Sequence, residues 1–253
     1  MYTFVNGQSL DTTFQMYSKT LSEYRTIKVG LPSNYFNSTE SFNSIYTFDA
    51  EYKFDIHRAS QKYLEISTRI PNSILIGINN ISRETRNRDL LPKNFEGHDS
   101  LFRDFVLLEL IPYIDNHYRT DSIRTMAGHS HGGVFTVVTM IKRPEMFKNY
   151  IAIDAAFQII NTVLPDSLDA SLNGKSLYYT TSDGLYGFNE EISADMLKHN
   201  FIFNYYLVQN PIASFKVYRE HIADDHGNSF ITGFHRGIRW VNSWPISLHT
   251  VRK

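Results

Sequence analysis

Three residue types that together can activate a hydroxyl occur in order along this chain: a serine between glycines, an aspartate and a histidine. The serine is Ser130, in Gly128-His129-Ser130-His131-Gly132-Gly133, between an apolar stretch from Ile123 to Ala127 and a helix-like run from Val134 to Ile141. Glycines two positions to either side suit a sharp strand-to-helix turn, where a larger side chain would collide with its neighbours and where the hydroxyl is lifted out for attack. Composition produces that five-residue pattern by accident in roughly one chain in twenty of this size, so its surroundings must decide. A serine hydroxyl is a poor nucleophile at neutral pH and needs an imidazole to take its proton and a carboxylate to orient that imidazole. Asp183, in Ser182-Asp183-Gly184 directly after an apolar run, and His226, in the polar loop from Ile222 to Ser229, are the expected partners. The order serine, acid, histidine is that of nucleophile-elbow hydrolases.

Other residues compete for these roles. Glu190 and Glu191 are alternative acids, although their place at the start of an expected helix is explained by the helix dipole. Asp224 and Asp225 cap or solvate the loop before His226, with a tuning role for one of them as the alternative. Among the ten histidines, His221 sits at a strand end, His235 on the solvent face of a helix and His249 in the tail. His129 and His131 form an H-x-H pair that two zinc-facing imidazoles could share, but Gly132 and Gly133 follow where such hydrolases carry a further carboxylate. The reading is therefore no metal, with His129 packed beneath the turn, hydrogen-bonded nearby or touching substrate, and the backbone N–H of His131 as an oxyanion donor.

The elements that must position these groups alternate. Short β-branched or aromatic runs predict strands at 26–31, 44–48, 73–78, 123–127, 150–153, 176–181 and 215–219, most of them apolar throughout, as strands covered on both faces should be. A helix is expected from Ser100 to Tyr118, with Leu101, Phe105, Leu108 and Ile111 on one face and Pro112 kinking its end, and another from Ser229 to Val241. This alternation predicts an α/β protein with a mostly parallel, doubly wound sheet and helices on both faces. Catalytic groups on such a sheet gather at the carboxyl ends of the strands.

At 253 residues the chain is long enough for one large domain, and no linker divides it, so 1–253 reads as a single unit with a partial lid expected at 157–174. The formal net charge of −1 gives no electrostatic reason to expect nucleic acid or anionic membrane, and points to a small neutral or mixed substrate. The 16 Tyr and 18 Phe give only a weak hint of an aromatic pocket. With no cysteine, disulfides and thiolate chemistry are excluded. No segment approaches a membrane span, and the first ten residues lack the pattern of a secretory leader, so the expectation is a cytoplasmic protein, or a periplasmic or secreted one if a leader has been removed. The exposed faces carry no pattern that predicts an oligomeric state.

A succession of motifs makes the elbow more specific. In order come Glu23-Tyr24-Arg25-Thr26-Ile27 with Leu31-Pro32, Tyr46-Thr47-Phe48-Asp49-Ala50, and Arg86-Asn87-Arg88-Asp89-Leu90-Leu91-Pro92. Then follow Phe102-Arg103-Asp104-Phe105, Glu109-Leu110-Ile111-Pro112-Tyr113-Ile114, Tyr118-Arg119-Thr120 and the serine turn. On these motifs the chain resembles the putative-esterase family of α/β hydrolases, the group of siderophore (enterobactin-type) esterases, S-formylglutathione hydrolases, feruloyl esterases and mycolyltransferases, and most the siderophore-esterase-like branch. The resemblance implies an α/β-hydrolase fold, with Ser130, Asp183 and His226 as nucleophile, acid and base. It also implies a second oxyanion N–H in the loop after Asp49, at Glu51, and places Arg86, Arg88 and Asp89 at the rim, where they either touch substrate or tie down the loop. Two departures stand out: Ala50 where the family has glycine, and His131 where a larger apolar residue is usual.

The activity expected is hydrolysis of a small-molecule carboxylic ester through an acyl-enzyme on Ser130, with no metal or organic cofactor. Acyl transfer or thioester hydrolysis by the same residues, a metallohydrolase, and a non-catalytic binding protein on the same scaffold are the alternatives.

Overall fold

The computed structural model describes residues 9–183 and 190–242, with the side chains of 190–193 left out. Gly184, His249 and the side chains of Glu190 and Glu191 lie outside it, as does most of the N-terminal stretch read above for a leader.

The strands are β1 (Asp11–Ser18), β2 (Glu23–Gly30), β3 (Phe42–Phe48), β4 (Ser73–Ile78), β5 (Thr120–His129), β6 (Asn149–Ile153), β7 (Ser176–Ser182) and β8 (Lys216–Ile222). The α-helices are α1 (Ala50–Ile66), α2 (Arg83–Leu90), α3 (Asp99–Phe105), α4 (Ile111–His117), α5 (His131–Lys142), α6 (Phe157–Ile160), α7 (Glu190–Gln209) and α8 (Ser229–Val241). One sheet holds all eight strands in the order β1-β2-β4-β3-β5-β6-β7-β8, parallel from β4 onward, with β2 antiparallel to both of its neighbours. This is the expected α/β-hydrolase architecture.

Side chains alternate across the strands, so each central strand feeds two cores. Ile45, Leu75, Ile151, Ile153 and Tyr178 pack with Phe54 and Leu64 of α1 and with Phe234 and Ile238 of α8. Tyr46, Ile74, Ile76, Met126 and Tyr150 belong to the larger core on the other side, with Phe102 and Phe105 of α3 and Val134 to Met140 of α5. The apolar runs gave β4 its observed bounds, and the amphipathic stripe did the same for α8. The edge strand β1 escaped sequence reading because DTTFQMYS is polar and mostly exposed, with no apolar run to see.

Around Pro112, where a kink was expected, the helix continues. The chain stays helical from Asp99 to His117 by widening to a π-turn over Val106–Leu110, where the Ile111 N–H reaches the Val106 carbonyl five residues back. Proline removes one intrahelical bond and crowds the preceding turn, and one extra residue in that turn absorbs both effects. Residues 86–90, expected in a loop, belong to α2, started by a reciprocal pair of hydrogen bonds between Ser82 and Thr85. In the stretch 157–174, Phe157, Ile159, Ile160 and Leu172 are buried, while 165–171 is largely exposed. Among the described residues, no helix is long and apolar enough to cross a membrane.

Candidate active site

The carboxyl ends of three adjacent strands bring the candidate residues together. Parallel pairing sets Thr47 of β3 beside Ala127 of β5, and His129 of β5 beside Ile153 of β6. Asp49, Ser130 and Asp154 therefore leave the sheet side by side on the same edge.

Ser130 sits between β5 and α5 with φ 57° and ψ −122°, a positive φ that L-residues rarely adopt. Its N–H donates to the Ile153 carbonyl (3.0 Å) and its carbonyl accepts from Val134, which pins the strained turn from both sides. The turn works only because the chain folds back on Gly128: a Cβ there would stand 2.1 Å from the Gly132 carbonyl oxygen. Gly132 is less constrained than the motif suggests, since an added Cβ would meet Phe48 at an ordinary 3.5 Å. Because α5 starts at His131, the His131 N–H has no acceptor within the helix and stands at its positive end.

His226 lies buried in the loop between β8 and α8, and its Nδ1–H donates to Asp154 Oδ2 at 2.7 Å. A carboxylate can only accept, so this bond puts the imidazole proton on Nδ1 and leaves Nε2 as the basic nitrogen. Asp154 is 1 % exposed and held by the N–H and hydroxyl of Ser182, while its own N–H donates to Thr180 Oγ1 (3.0 Å).

The expected acid, Asp183, is elsewhere. Its Oδ1 bonds His221 Nε2 at 2.8 Å, both side chains are well exposed, and His221 Nδ1 meets Thr181 Oγ1. The sequence signal was a carboxylate at a strand end, and β3, β6 and β7 each carry one: Asp49, Asp154 and Asp183. Only β6 lies directly beside the strand that carries Ser130 on the side of β7 and β8, so only Asp154 reaches the histidine. Asp224 accepts from Asp183 through its carbonyl, and Asp225 receives Asn228, in loop-forming roles.

The two histidines flanking Ser130 have different partners and do not converge. His129 is buried: its Nε2–H donates to the His226 carbonyl (2.8 Å) and its Nδ1 accepts from Lys53 Nζ (3.0 Å). Burial, with the Lys53 and His226 charges beside it, holds its pKa well below the usual imidazole value. His131 Nδ1–H donates to Asn87 Oδ1 of α2 at 3.1 Å. Burial and then the Arg86 charge lower its pKa to about 4, so it is neutral at pH 7. Among the described residues, no three His, Asp or Glu side chains are grouped to hold a metal ion.

Arg86 and Arg88 both tie down structure. Arg86 forks onto both oxygens of Asp49 (2.6 and 3.0 Å), a carboxylate that also receives Asn80 Nδ2 and Lys53 Nζ. Burial alone would raise the Asp49 pKa, but Arg86 and Lys53 outweigh it and hold the carboxyl far below the usual range. Arg88 pairs with Glu23 and Asp89, a cluster completed by the fully buried Arg25. Glu51, one residue into α1, receives the Asn80 N–H and amide on its carboxylate, and its own N–H lies in the first turn of that helix. His235, expected on a solvent face, instead meets Ser60 Oγ across α1 and α8 at 2.8 Å. Sequence reading missed Lys53, Asn80, Asn87 and Asp154. Only Asp154 had a readable signal, an acid ending the run Ile151-Ala152-Ile153.

A family model described as Putative esterase matches residues 18–185. The Uncharacterized protein YjcH of Bacillus subtilis (strain 168) is 30% identical over 151 residues, 58% of this chain and 61% of that protein, so the match spans less than two thirds of the relative's length. Among solved structures, an IroE-like serine hydrolase from Shewanella oneidensis has a similar fold, with TM-score 0.79 at 22% identity over 92% of this chain and 80% of that one. The siderophore hydrolase EstB from Aspergillus nidulans gives 0.74 at 18% identity, over 96% and 98%. The enterobactin esterase FES from Shigella flexneri gives 0.73 at 13% identity, over 91% and 58%.

Proposed function

Because this chain belongs to the putative esterase family and is an enzyme acting on esters, we propose that it hydrolyses small-molecule carboxylic esters through an acyl-enzyme on Ser130, with His226 as base and Asp154 as orienting acid. The observation that carries this reading is the 2.7 Å bond from His226 Nδ1 to Asp154, beside a serine held at positive φ.

His226 Nε2 removes the Ser130 proton as Oγ attacks the ester carbonyl. The tetrahedral oxyanion is met by the His131 N–H and by an N–H of the first turn of α1, at Glu51, each worth about 3 kcal/mol in comparable sites. The imidazolium then gives its proton to the departing alcohol. A water, deprotonated by the same nitrogen, attacks the acyl-enzyme and returns the serine. Asp154 fixes the imidazole proton on Nδ1 throughout. Arg86 acts at one remove, holding Asp49 and so the start of α1. The names of the similar structures favour siderophore-type esters as the first substrates to try.

The test is a substrate panel with Ser130→Ala. The variant is expected to fold normally and lose ester hydrolysis by several orders of magnitude; turnover within tenfold of wild type would sink the assignment.

A further inference from the structure

The reaction above gives no task to Lys53 or His129, yet His129 is buried against the base and the half-buried Lys53 is bonded to His129. Resting on the ester-hydrolase reading, we propose that Lys53 and His129 form a positioning pair that fixes the peptide of His226 and, through it, the direction of the catalytic imidazole.

His129 closes a ring of bonds around the site. His129 is bonded covalently to Ser130 and, through Nε2–H, to the carbonyl of His226 (2.8 Å). His226 is bonded through Nδ1–H to Asp154 (2.7 Å), and the carbonyl of Ile153, which precedes Asp154, accepts the Ser130 N–H (3.0 Å). Three short bonds thus tie nucleophile, base and acid together. Of these three, it is the His129 bond that fixes the backbone of the base and not its ring. Ser229 Oγ supports the same carbonyl at 3.1 Å from the start of α8.

That bond requires the proton on Nε2 of His129. An isolated imidazole can carry its proton on either nitrogen, and with the other tautomer a lone pair would face the carbonyl. Lys53 removes the choice by donating to Nδ1 at 3.0 Å. Lys53 is in turn held by Asp49 Oδ2 (2.9 Å), and its ammonium lies 5.2 Å from the centre of the Phe230 ring. The charged and titratable groups facing His129 are Lys53 and Asp49 on the α1 side and His226 on the loop side, with Arg86 reaching it through Asp49. An apolar pair of similar size would fill this space without the desolvation cost of a buried ammonium and imidazole. What the polar pair adds is direction.

The test compares wild type with His129→Leu, His129→Gln, Lys53→Met and the Leu/Met double variant. Readouts are steady-state hydrolysis of a short-chain p-nitrophenyl ester from pH 5 to 9, labelling of Ser130 by a fluorophosphonate, and thermal unfolding. His129→Leu is expected to lose about 100-fold in kcat, the scale of a small misplacement of a catalytic group, with KM within about threefold. His129→Gln, which keeps a donor and an acceptor, should recover part of that loss. Lys53→Met should lower kcat and move the acid limb of the profile to higher pH, because a His129 freed from the Lys53 charge protonates more readily. Since Lys53 acts through His129, adding Lys53→Met to His129→Leu should change kcat less than twofold. Folded His129→Leu with kcat within about threefold of wild type, or additive effects in the double variant, overturns the proposal. A destabilised His129→Leu leaves Lys53→Met and its acid limb to decide. Wild type that neither turns over ester nor labels overturns the ester-hydrolase reading itself, and this proposal with it.

Discussion

Asp154 and Asp183 show how little separates an acid that orients an imidazole from one that does not. Both end strands of the same parallel sheet, and both bond a histidine at 2.7 to 2.8 Å. Asp154 is buried beside the serine turn with hydrogen bonds on both oxygens, whereas Asp183 and His221 face water, where such a pair is worth little. Asp154→Asn is predicted to leave the fold intact and lower kcat by about 10⁴-fold, because an amide tolerates the wrong imidazole tautomer. Asp183→Asn should stay within about threefold of wild type in the same assay. The turn that holds Ser130 and the loop that holds His226 were legible in sequence because glycine spacing and a polar loop after a strand are local signals. The acid was not, because three strand ends offer one and only the strand order, which is tertiary, selects among them. Lys53 was invisible for the same reason: on a helix it reads as a solvated charge, and only packing turns it toward His129.

At the scale of elements, the serine turn depends on one glycine more than on the other. An added Cβ at Gly128 would run into the backbone of Gly132, which the β5–α5 turn cannot move without losing the Ser130 geometry. At Gly132 the added methyl meets Phe48 at contact distance, and alanine is the better helix former by about 1 kcal/mol. Chemical denaturation is therefore expected to show Gly128→Ala destabilised by more than about 2 kcal/mol and Gly132→Ala unchanged or slightly stabilised. Most strands and the last helix were readable from period and composition. The π-turn before Pro112, helix α2 and strand β1 were not. The edge strand β1 and the polar helix α2 leave no apolar run behind, and the π-turn is an adjustment to Pro112.

Across the whole molecule, buried neutral histidines set an acid limit on stability. His57, stacked on Phe234 with ring centres 3.9 Å apart, has its pKa lowered to about 3 by burial and then by the Lys53 charge. The unfolded chain protonates this imidazole near pH 6.5 while the folded chain does not, so the unfolded state binds more protons and stability falls as pH drops from about 6.5 toward 3. Each such group adds about 1.4 kcal/mol per pH unit inside that window. His57→Phe is predicted to flatten the slope of unfolding free energy between pH 6 and 4 by about that amount, measured by denaturant titration. His129, also held neutral by its surroundings, adds to the same acid sensitivity and links the fold to the site. The most direct test of the site itself is the rate at which a fluorophosphonate labels Ser130, followed by intact mass in wild type, Asp154→Asn and Asp183→Asn. The account predicts rapid single labelling in wild type and Asp183→Asn and slowing by orders of magnitude in Asp154→Asn. Slowing in Asp183→Asn with unchanged labelling in Asp154→Asn would contradict it.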